Sequence, residues 1–231
     1  MKKDSLERRV RTVKGSLSPH VLLVAAAKTR TSAELKTAIA SGITAIGYNY
    51  VQEAETMMQA LKEWETREAP HQVQWHLIGH LQRNKVKKAV ELFDMIETID
   101  SLRIAEAVNS RCAAIGKVMP VLIEVNSGQE SNKTGVPPDE VMSLVRQVAE
   151  LPYIKILGLM TMGPRFGNPE EARPYFRLTK KIFDQLAAEN VPHIEMRYLS
   201  MGMSNSYKQA IEEGANIVRI GTSLFGVRNG D

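Results

Sequence analysis

The sequence predicts an α/β fold, a single (β/α)8 TIM barrel with an additional N-terminal helix. Three observations predict it: eight short apolar runs, helical stretches between them, and a length of 231 residues, slightly short for such a barrel. The runs are apolar almost throughout, which indicates parallel strands buried on both faces. An open, doubly wound sheet is the alternative.

The predicted elements alternate along the chain, eight strands with eight helices when the N-terminal helix is counted. We expect that first helix over residues 5–14, a capping box at Thr31 and Glu34, and a helix over 141–151 after Pro137 and Pro138. No Pro/Gly/Ser-rich linker divides the chain, so residues 1–231 are expected to form one domain. The predicted strands are 20–27, 43–47, 74–78, 95–99, 119–125, 155–160, 195–199 and 217–220.

Composition excludes several classes of protein. The chain is 43% hydrophobic and 24% charged, as in ordinary soluble proteins. Its opening residues are charged and lack the apolar stretch of a signal peptide, and no apolar run approaches the length of a membrane span. The single cysteine, Cys112, can form no internal disulfide. We therefore expect a cytoplasmic protein in a reducing compartment.

The net charge of +4 raises the question of nucleic-acid binding. A small basic cluster contains Arg83, Lys85, Lys87 and Lys88. However, acidic residues are spread along the whole chain and no recognition motif is present, so we expect no nucleic-acid partner. A small anionic molecule fits the modest positive charge better.

Lys28 stands directly after the first predicted strand, where parallel sheets place their ligand sites. Burial and nearby cations lower the pKa of a lysine amine, which then attacks an aldehyde to form a Schiff base. The alternative is a lysine that lays its stem along the barrel rim with its charge in water. The choice between a Schiff-base lysine and a solvated rim lysine depends on which other residues lie near Lys28 in the predicted fold.

The carboxyl ends of the other predicted strands carry hydroxyls and amides and few carboxylates, which suits an anion better than a metal ion. The last two loops resemble phosphate sites in composition, although Gly and Ser also cap helices routinely. Arg219 and Gly221 point to the same side of the last strand, and a buried arginine there needs an ion-pair partner or a ligand. The residues concerned are Lys28, Tyr48, Asn49, Gly79, His80, Asp100, Ser101, Asn126, Ser127, Thr161, Met162, Ser200, Met201, Gly202, Ser204, Gly221, Thr222 and Ser223.

Other motifs point away from metal and nucleotide chemistry. His76 and His80 are four residues apart, but they lie on a predicted strand and turn, and Leu77 stands where a zinc protease motif has glutamate. The sequence contains no G-x-S-x-G, P-loop, G-x-G-x-x-G or C-x-x-C motif. The longest predicted loop, residues 163–169, follows a strand end and either covers a site or forms a simple turn.

Five ordered motifs resemble those of the pyridoxal phosphate homeostasis proteins, which are single-domain relatives of the alanine racemase barrel. The resemblance covers the chain from about Val21 to Arg228. The motifs are 23–29 (LVAAAKT), 46–53 (IGYNYVQE), 75–85 (WHLIGHLQRNK), 199–204 (LSMGMS) and 218–226 (VRIGTSLFG).

This resemblance implies a pyridoxal 5′-phosphate (PLP) cofactor held as a Schiff base on Lys28. It implies that Ser204, Gly221 and Thr222 surround the phosphate and that Arg219 faces the pyridine nitrogen. It also places four residues near the ring, namely Asn49, His80, Ser200 and Met201. Two positions depart from the family pattern: Tyr48 replaces a glutamate at the expected mouth of the site, and Ser206 replaces an aspartate after the phosphate loop.

The resemblance leaves the choice between carrier and enzyme to chemistry. Arg219 only donates, so it would keep the pyridine nitrogen uncharged and the cofactor a weak electron sink. The resemblance implies that alanine racemases tolerate the same arginine but need a tyrosine base from an additional C-terminal domain, and here only ten residues follow Gly221. We therefore expect a monomeric PLP carrier without a catalytic activity, which buffers PLP or delivers it to PLP-dependent apoenzymes. The alternatives are a weak amino-acid racemase with Lys28 and Tyr48 or His80 as bases, and a PLP-free phosphosugar Schiff-base lyase.

Overall fold

A closed barrel of parallel strands forms the centre of the molecule, in a computed structural model that describes residues 5–69, 72–130, 133–163, 167–189 and 191–226. Each strand pairs with its neighbours in chain order, and β8 pairs with β1 to close the sheet. The predicted fold class is confirmed, and predicted strand limits differ from the observed ones by at most two residues. The strands are β1 Leu22–Ala26, β2 Ala45–Tyr48, β3 Gln74–Leu77, β4 Met95–Ile99, β5 Met119–Glu124, β6 Ile154–Met160, β7 Ile194–Ser200 and β8 Ile217–Ile220.

Helices follow every strand in these described ranges and one precedes the first, so the structure has nine α-helices where eight were predicted. The helix that the prediction missed, α9, has only four residues, too few for a periodic pattern to show. Two 3₁₀ turns lie at Arg83–Lys85 and Pro169–Ala172. The helices are α1 Leu6–Gly15, α2 Ser32–Ala40, α3 Val51–Arg67, α4 Val86–Leu92, α5 Leu102–Ile115, α6 Val141–Ala149, α7 Arg173–Ala188, α8 Tyr207–Glu212 and α9 Thr222–Phe225.

Local sequence signals explain where two of the early helices begin. The side chain of Ser5 accepts the amide N–H of Arg8 at the start of α1. At the start of α2, Thr31 and Glu34 form the predicted capping box, each side chain accepting the other residue's backbone N–H. Helix α1 also contacts α9, because Arg9 donates to the carbonyl oxygen of Leu224 at 2.6 Å.

The strands separate two apolar regions. Their outward side chains pack under the helices in a large continuous core that contains Ile46, Leu77 and Val218. Their inward side chains form a second, smaller cluster that contains Val24, Leu122 and Ile217. This arrangement follows from the period of two along a strand, which sends successive side chains to opposite faces.

Cys112 lies on α5 and is fully buried in the outer core. Burial raises the pKa of its thiol, which keeps the sulfur protonated and unreactive at neutral pH. This agrees with a structural thiol. Among the described residues, no helix is both long and apolar enough to cross a membrane.

Candidate functional site

A cavity of about 750 Å³ opens at the carboxyl ends of the strands. Its wall includes side chains from the loops after β1, β2, β6, β7 and β8, together with Arg219 on β8 itself. Parallel barrels place their ligand sites at this end. Six of the nine residues that the family resemblance implies around the cofactor line it: Lys28, Asn49, Ser204, Arg219, Gly221 and Thr222.

Lys28 lies two residues beyond the end of β1, and its ammonium group sits 5.4 Å from the centre of the Tyr50 ring. The turn that follows is unusual, because Thr29 has a φ of 62° in the left-handed region that favours glycine. The carboxylate of Glu53 accepts the Thr29 N–H and holds this conformation. Lys28 itself is partly buried and lines the cavity wall.

Two loops at one side of the cavity are joined through Ser204. Its hydroxyl oxygen accepts the backbone N–H groups of Gly221 and Ser223, each at 3.3 Å. The loop before α8 packs closely: a Cβ on Gly202, where φ is +86°, would meet the Ala210 Cβ at 2.6 Å. Hydroxyl and amide donors thus form one wall of the cavity, which suits the oxygens of an anion.

Arg219 is 3% exposed and lies inside the barrel at the floor of the cavity. It donates to the Thr161 carbonyl oxygen at 2.8 Å and to the Ser200 hydroxyl at 2.5 Å. Burial lowers the pKa of Arg219, and the charges of Glu97 and Glu124 oppose that shift. Sequence reasoning left a structural ion pair and a ligand contact open, and the structure gives Arg219 both an acidic neighbour and a place in the wall.

Three other predicted site residues are not among those that line this cavity. Ser200 is fully buried behind Arg219, and Met201 points outward into the core beneath the helices. His80 is half-exposed and lines a separate cavity of about 260 Å³ together with Asn49 and Tyr50. Its Nδ1 lies 3.2 Å from a carboxylate oxygen of Asp100.

Tyr48 does not lie at the mouth of the cavity, so the expectation drawn from its position beside Asn49 is wrong. It is fully buried in the outer core, with its ring stacked on Trp75 at 6.1 Å between centroids. The pleat of β2 sends Tyr48 outward and the next residue, Asn49, into the cavity. Burial and the charge of Glu53 raise the pKa of Tyr48.

Ser206, the second departure from the family pattern, stands directly before α8 and lines the cavity. Its hydroxyl oxygen accepts the Met203 N–H at 3.4 Å, so it helps to shape the loop that contains Ser204. The predicted covering loop, residues 163–169, lies partly outside the described residues, because positions 164–166 are not described.

Sequence reasoning missed two buried carboxylates inside the barrel, on Glu97 and Glu124. Glu97 accepts hydrogen bonds from His76 and Ser200. Glu124 accepts one from the Thr134 hydroxyl at 2.9 Å, and burial raises its pKa, with Asp100 adding to the shift. A glutamate within the apolar run 95–99 was a usable signal, since charged residues are almost never fully buried without partners. Within the described ranges, His, Cys, Asp and Glu side chains form no group that could hold a metal ion.

Comparison with known proteins places the chain in a family. The family described as "Alanine racemase, N-terminal domain" matches residues 1–229. The pyridoxal phosphate homeostasis protein of Aquifex aeolicus is 43% identical over 187 residues, 81% of this chain and 78% of that protein. The protein of that name from Haemophilus influenzae is 34% identical over 209 residues, 90% of this chain and 86% of that one.

Solved structures give the same result. PipY of Synechococcus elongatus, solved with PLP bound, superposes with a TM-score of 0.86 at 31% identity, covering 96% of this chain and all of that one. An alanine racemase from Clostridium difficile superposes with a TM-score of 0.79 at 16% identity, covering 99% of this chain and 61% of that one, which shows the shared barrel. The chain thus belongs to the alanine racemase N-terminal domain family and, within it, to the pyridoxal phosphate homeostasis proteins.

Proposed function

We propose that this protein binds PLP reversibly in the cavity at the carboxyl ends of its strands and acts in PLP homeostasis. Lys28 would hold the cofactor as a Schiff base, and the protein would buffer PLP or deliver it to PLP-dependent apoenzymes. One observation carries the proposal: a lysine amine, an arginine guanidinium and a wall of hydroxyl and amide donors line one cavity of about 750 Å³. PipY, a relative whose structure was solved with PLP bound, supports it.

The cavity fits each part of PLP. Ser204, Gly221 and Thr222 would hold the phosphate, since all three line one wall of the cavity and carry hydroxyl or backbone N–H groups. Arg219 would donate to the pyridine nitrogen from the cavity floor. Lys28 would reach the aldehyde carbon from the β1 side. PLP itself supplies the reactive aldehyde that makes the bond reversible.

The remaining predicted contacts are proposed in modified form. Asn49, which lines the cavity, would contact the ring. Ser200 would act through Arg219, to which it is hydrogen bonded. Ring contacts by His80 and Met201 stay predictions of the family resemblance. The single domain over residues 1–231, the monomeric state and the cytoplasmic location also stay predictions.

A carrier fits the site better than a racemase. An arginine at the pyridine nitrogen cannot supply the proton that makes PLP a strong electron sink. A racemase also needs a second base at the cavity, and the hydroxyl of Tyr48 is buried outside the barrel interior. His80 lines the neighbouring cavity and is paired with Asp100.

The direct test is a visible absorbance spectrum of the protein mixed with PLP, followed by borohydride reduction and mass mapping of the labelled peptide. We expect a Schiff-base absorbance band and a label on Lys28. The band and label should disappear in Lys28→Ala and persist in Lys85→Ala, a matched control at the mouth of the neighbouring cavity. A label on another lysine would reject the assignment of Lys28, and a protein that takes up no PLP would reject the function.

Catalysis is tested separately. The PLP-loaded protein is incubated with single L-amino acids in deuterated water, and deuterium uptake at Cα and D-isomer formation are followed. We expect neither above the rate with free PLP. Turnover at ordinary enzymatic rates, roughly one per second or faster, would instead establish a racemase.

A further inference from the structure

A chain of buried polar side chains crosses the barrel interior behind the cavity. Nδ1 of His76 on β3 lies 2.7 Å from one carboxylate oxygen of Glu97 on β4. The hydroxyl of Ser200 on β7 donates to the other oxygen at 2.6 Å and accepts from Arg219 on β8. Because β4 and β7 are not neighbours in the sheet, this chain bridges the interior rather than running along one strand pair.

The hydrogen bonds in this chain converge on the carboxylate of Glu97. A carboxylate only accepts, so His76 donates its Nδ1 hydrogen and Ser200 donates its hydroxyl hydrogen to Glu97. The hydroxyl oxygen of Ser200 is then left to accept from Arg219. Each side chain thus fixes the orientation of the next, ending at a guanidinium that lines the cavity.

Glu97 also balances the charge of Arg219. Both are at least 97% buried, and the Nη1 of Arg219 lies 3.9 Å from Glu97. Burial alone would raise the pKa of Glu97, but the hydrogen bond and charge of His76, with Arg219 and Ser200, hold it below the usual value. Two fully buried charges are tolerated only when they are paired and hydrogen bonded, so Arg219 depends on Glu97.

We propose that Glu97 is a positioning residue for the cofactor, which acts through Ser200 to aim the guanidinium of Arg219 at the cavity and neutralises its charge there. His76 holds Glu97 in that role. This deepens the proposed function and rests on it. It assigns three residues that lie behind the cavity wall, none of which needs to touch PLP.

Charge neutralisation makes a measurable difference at the Schiff base, whose protonated form is a cation. The charged or titratable groups on the strands and the following loops at this end of the barrel include Lys28, Arg30, His76, His80, Glu97, Asp100, Glu124 and Arg219. Removing the Glu97 charge leaves that set one unit more positive. The protonated Schiff base then becomes less favourable, and the pH at which it loses its proton falls.

The test compares PLP binding and the pH titration of the Schiff-base absorbance in three variants. In Glu97→Gln we expect the dissociation constant of PLP to rise about 10-fold or more and the titration midpoint to fall by about one pH unit. Ser200→Ala removes the hydroxyl between Glu97 and Arg219 but keeps the charges of both. In this variant we expect PLP to bind more weakly, with a nearly unchanged titration midpoint. Thr179→Val, which removes a buried hydroxyl on α7, should change neither.

Unchanged affinity and midpoint in a folded Glu97→Gln would overturn the proposal. If that variant does not fold, Ser200→Ala decides, because unaltered affinity in it would overturn the proposal equally. A merely structural role predicts instead that each variant loses stability but keeps the titration midpoint and, once folded, the affinity. Failure of the unaltered chain to form any Schiff base is a different result, which rejects the proposed function itself.

Discussion

The two faces of the same strands differ in what they bury. The outward face, beneath the helices, is apolar almost throughout. It also buries Tyr48, whose hydroxyl has no hydrogen-bond partner among the described residues. The inward face also buries apolar side chains, such as Leu122 and Ile217, but it carries the charged side chains of Glu97 and Arg219 among them. The outer face therefore contributes stability through apolar burial. In the interior, burying the charges of Glu97 and Arg219 costs stability but fixes a cation at the cavity.

The largest effect is expected from breaking the interior ion pair. Arg219→Met leaves the Glu97 carboxylate buried without its cation, so the free energy of unfolding should fall by about 3–5 kcal/mol. Urea denaturation measures it. In the double variant with Glu97→Gln, stability should return to within about 2 kcal/mol of the unaltered chain, because no unpaired charge remains. If the double variant is as unstable as Arg219→Met alone, the loss of the Glu97–Arg219 ion pair does not cause the fall in the free energy of unfolding.

A comparable loss without a functional effect is expected on the outer face. Ile220 is fully buried beneath the helices, next to Arg219 but on the other side of β8. Ile220→Ala should cost about 2–4 kcal/mol through lost burial and the cavity left behind. Its affinity for PLP, measured by absorbance titration below the unfolding temperature, should equal that of the unaltered chain. A large loss of affinity would mean that the two faces are not independent.

A smaller, pH-dependent effect is expected at Glu124. Its folded-state pKa is raised above the ordinary value of 4.5, first by burial and then by Asp100, while the Thr134 hydrogen bond opposes the shift. The protonated form is therefore favoured in the folded state, and its contribution is complete below pH 4.5 and is lost as the pH rises through the folded-state pKa.

The check is to compare urea midpoints of the unaltered chain and Glu124→Gln between about pH 4 and pH 8. The glutamine cannot ionise, so the variant should gain stability relative to the unaltered chain as the pH rises. A difference that stays constant with pH, or moves the other way, would contradict the raised pKa.

The smallest effect is expected at Tyr48, where the pattern of the family and the geometry of this chain disagree. Tyr48→Phe removes a buried hydroxyl that has no partner among the described residues, so stability should change by less than about 1 kcal/mol, or rise. PLP affinity and the Schiff-base spectrum should be unchanged. A loss of either would place the hydroxyl in the site after all.

Local sequence patterns were sufficient to predict the strands and where several helices begin. The apolar runs ending at Lys28 and around Arg219 predicted β1 and β8, and Thr31 with Glu34 predicted the start of α2, because burial periodicity and capping are properties of neighbouring residues. The four-residue helix α9 was not predicted because it is too short to show a periodic pattern.

The residues at the cavity could be predicted only in part. Lys28, Asn49, Ser204, Arg219, Gly221 and Thr222 follow or end strands, and the barrel rule brings such positions together. Met201 and Tyr48 failed to reach the cavity because a shift of one residue along a pleated strand reverses the side to which a side chain points. Register shifts also interrupt the pairing within β4, β5 and β6, so alternation counted along the sequence does not settle the face of every residue there.

The order of strands and helices, the eight-stranded barrel, and an amine and a guanidinium at its carboxyl end could all be predicted from the sequence. The contact of Glu97 on β4 with Ser200 on β7 and, through it, with Arg219 on β8 became visible only in the folded chain. Glu97 and Ser200 are 103 residues apart and come from strands that do not pair, so no local pattern records their contact. Closure of the sheet creates it, and burial then makes it obligatory.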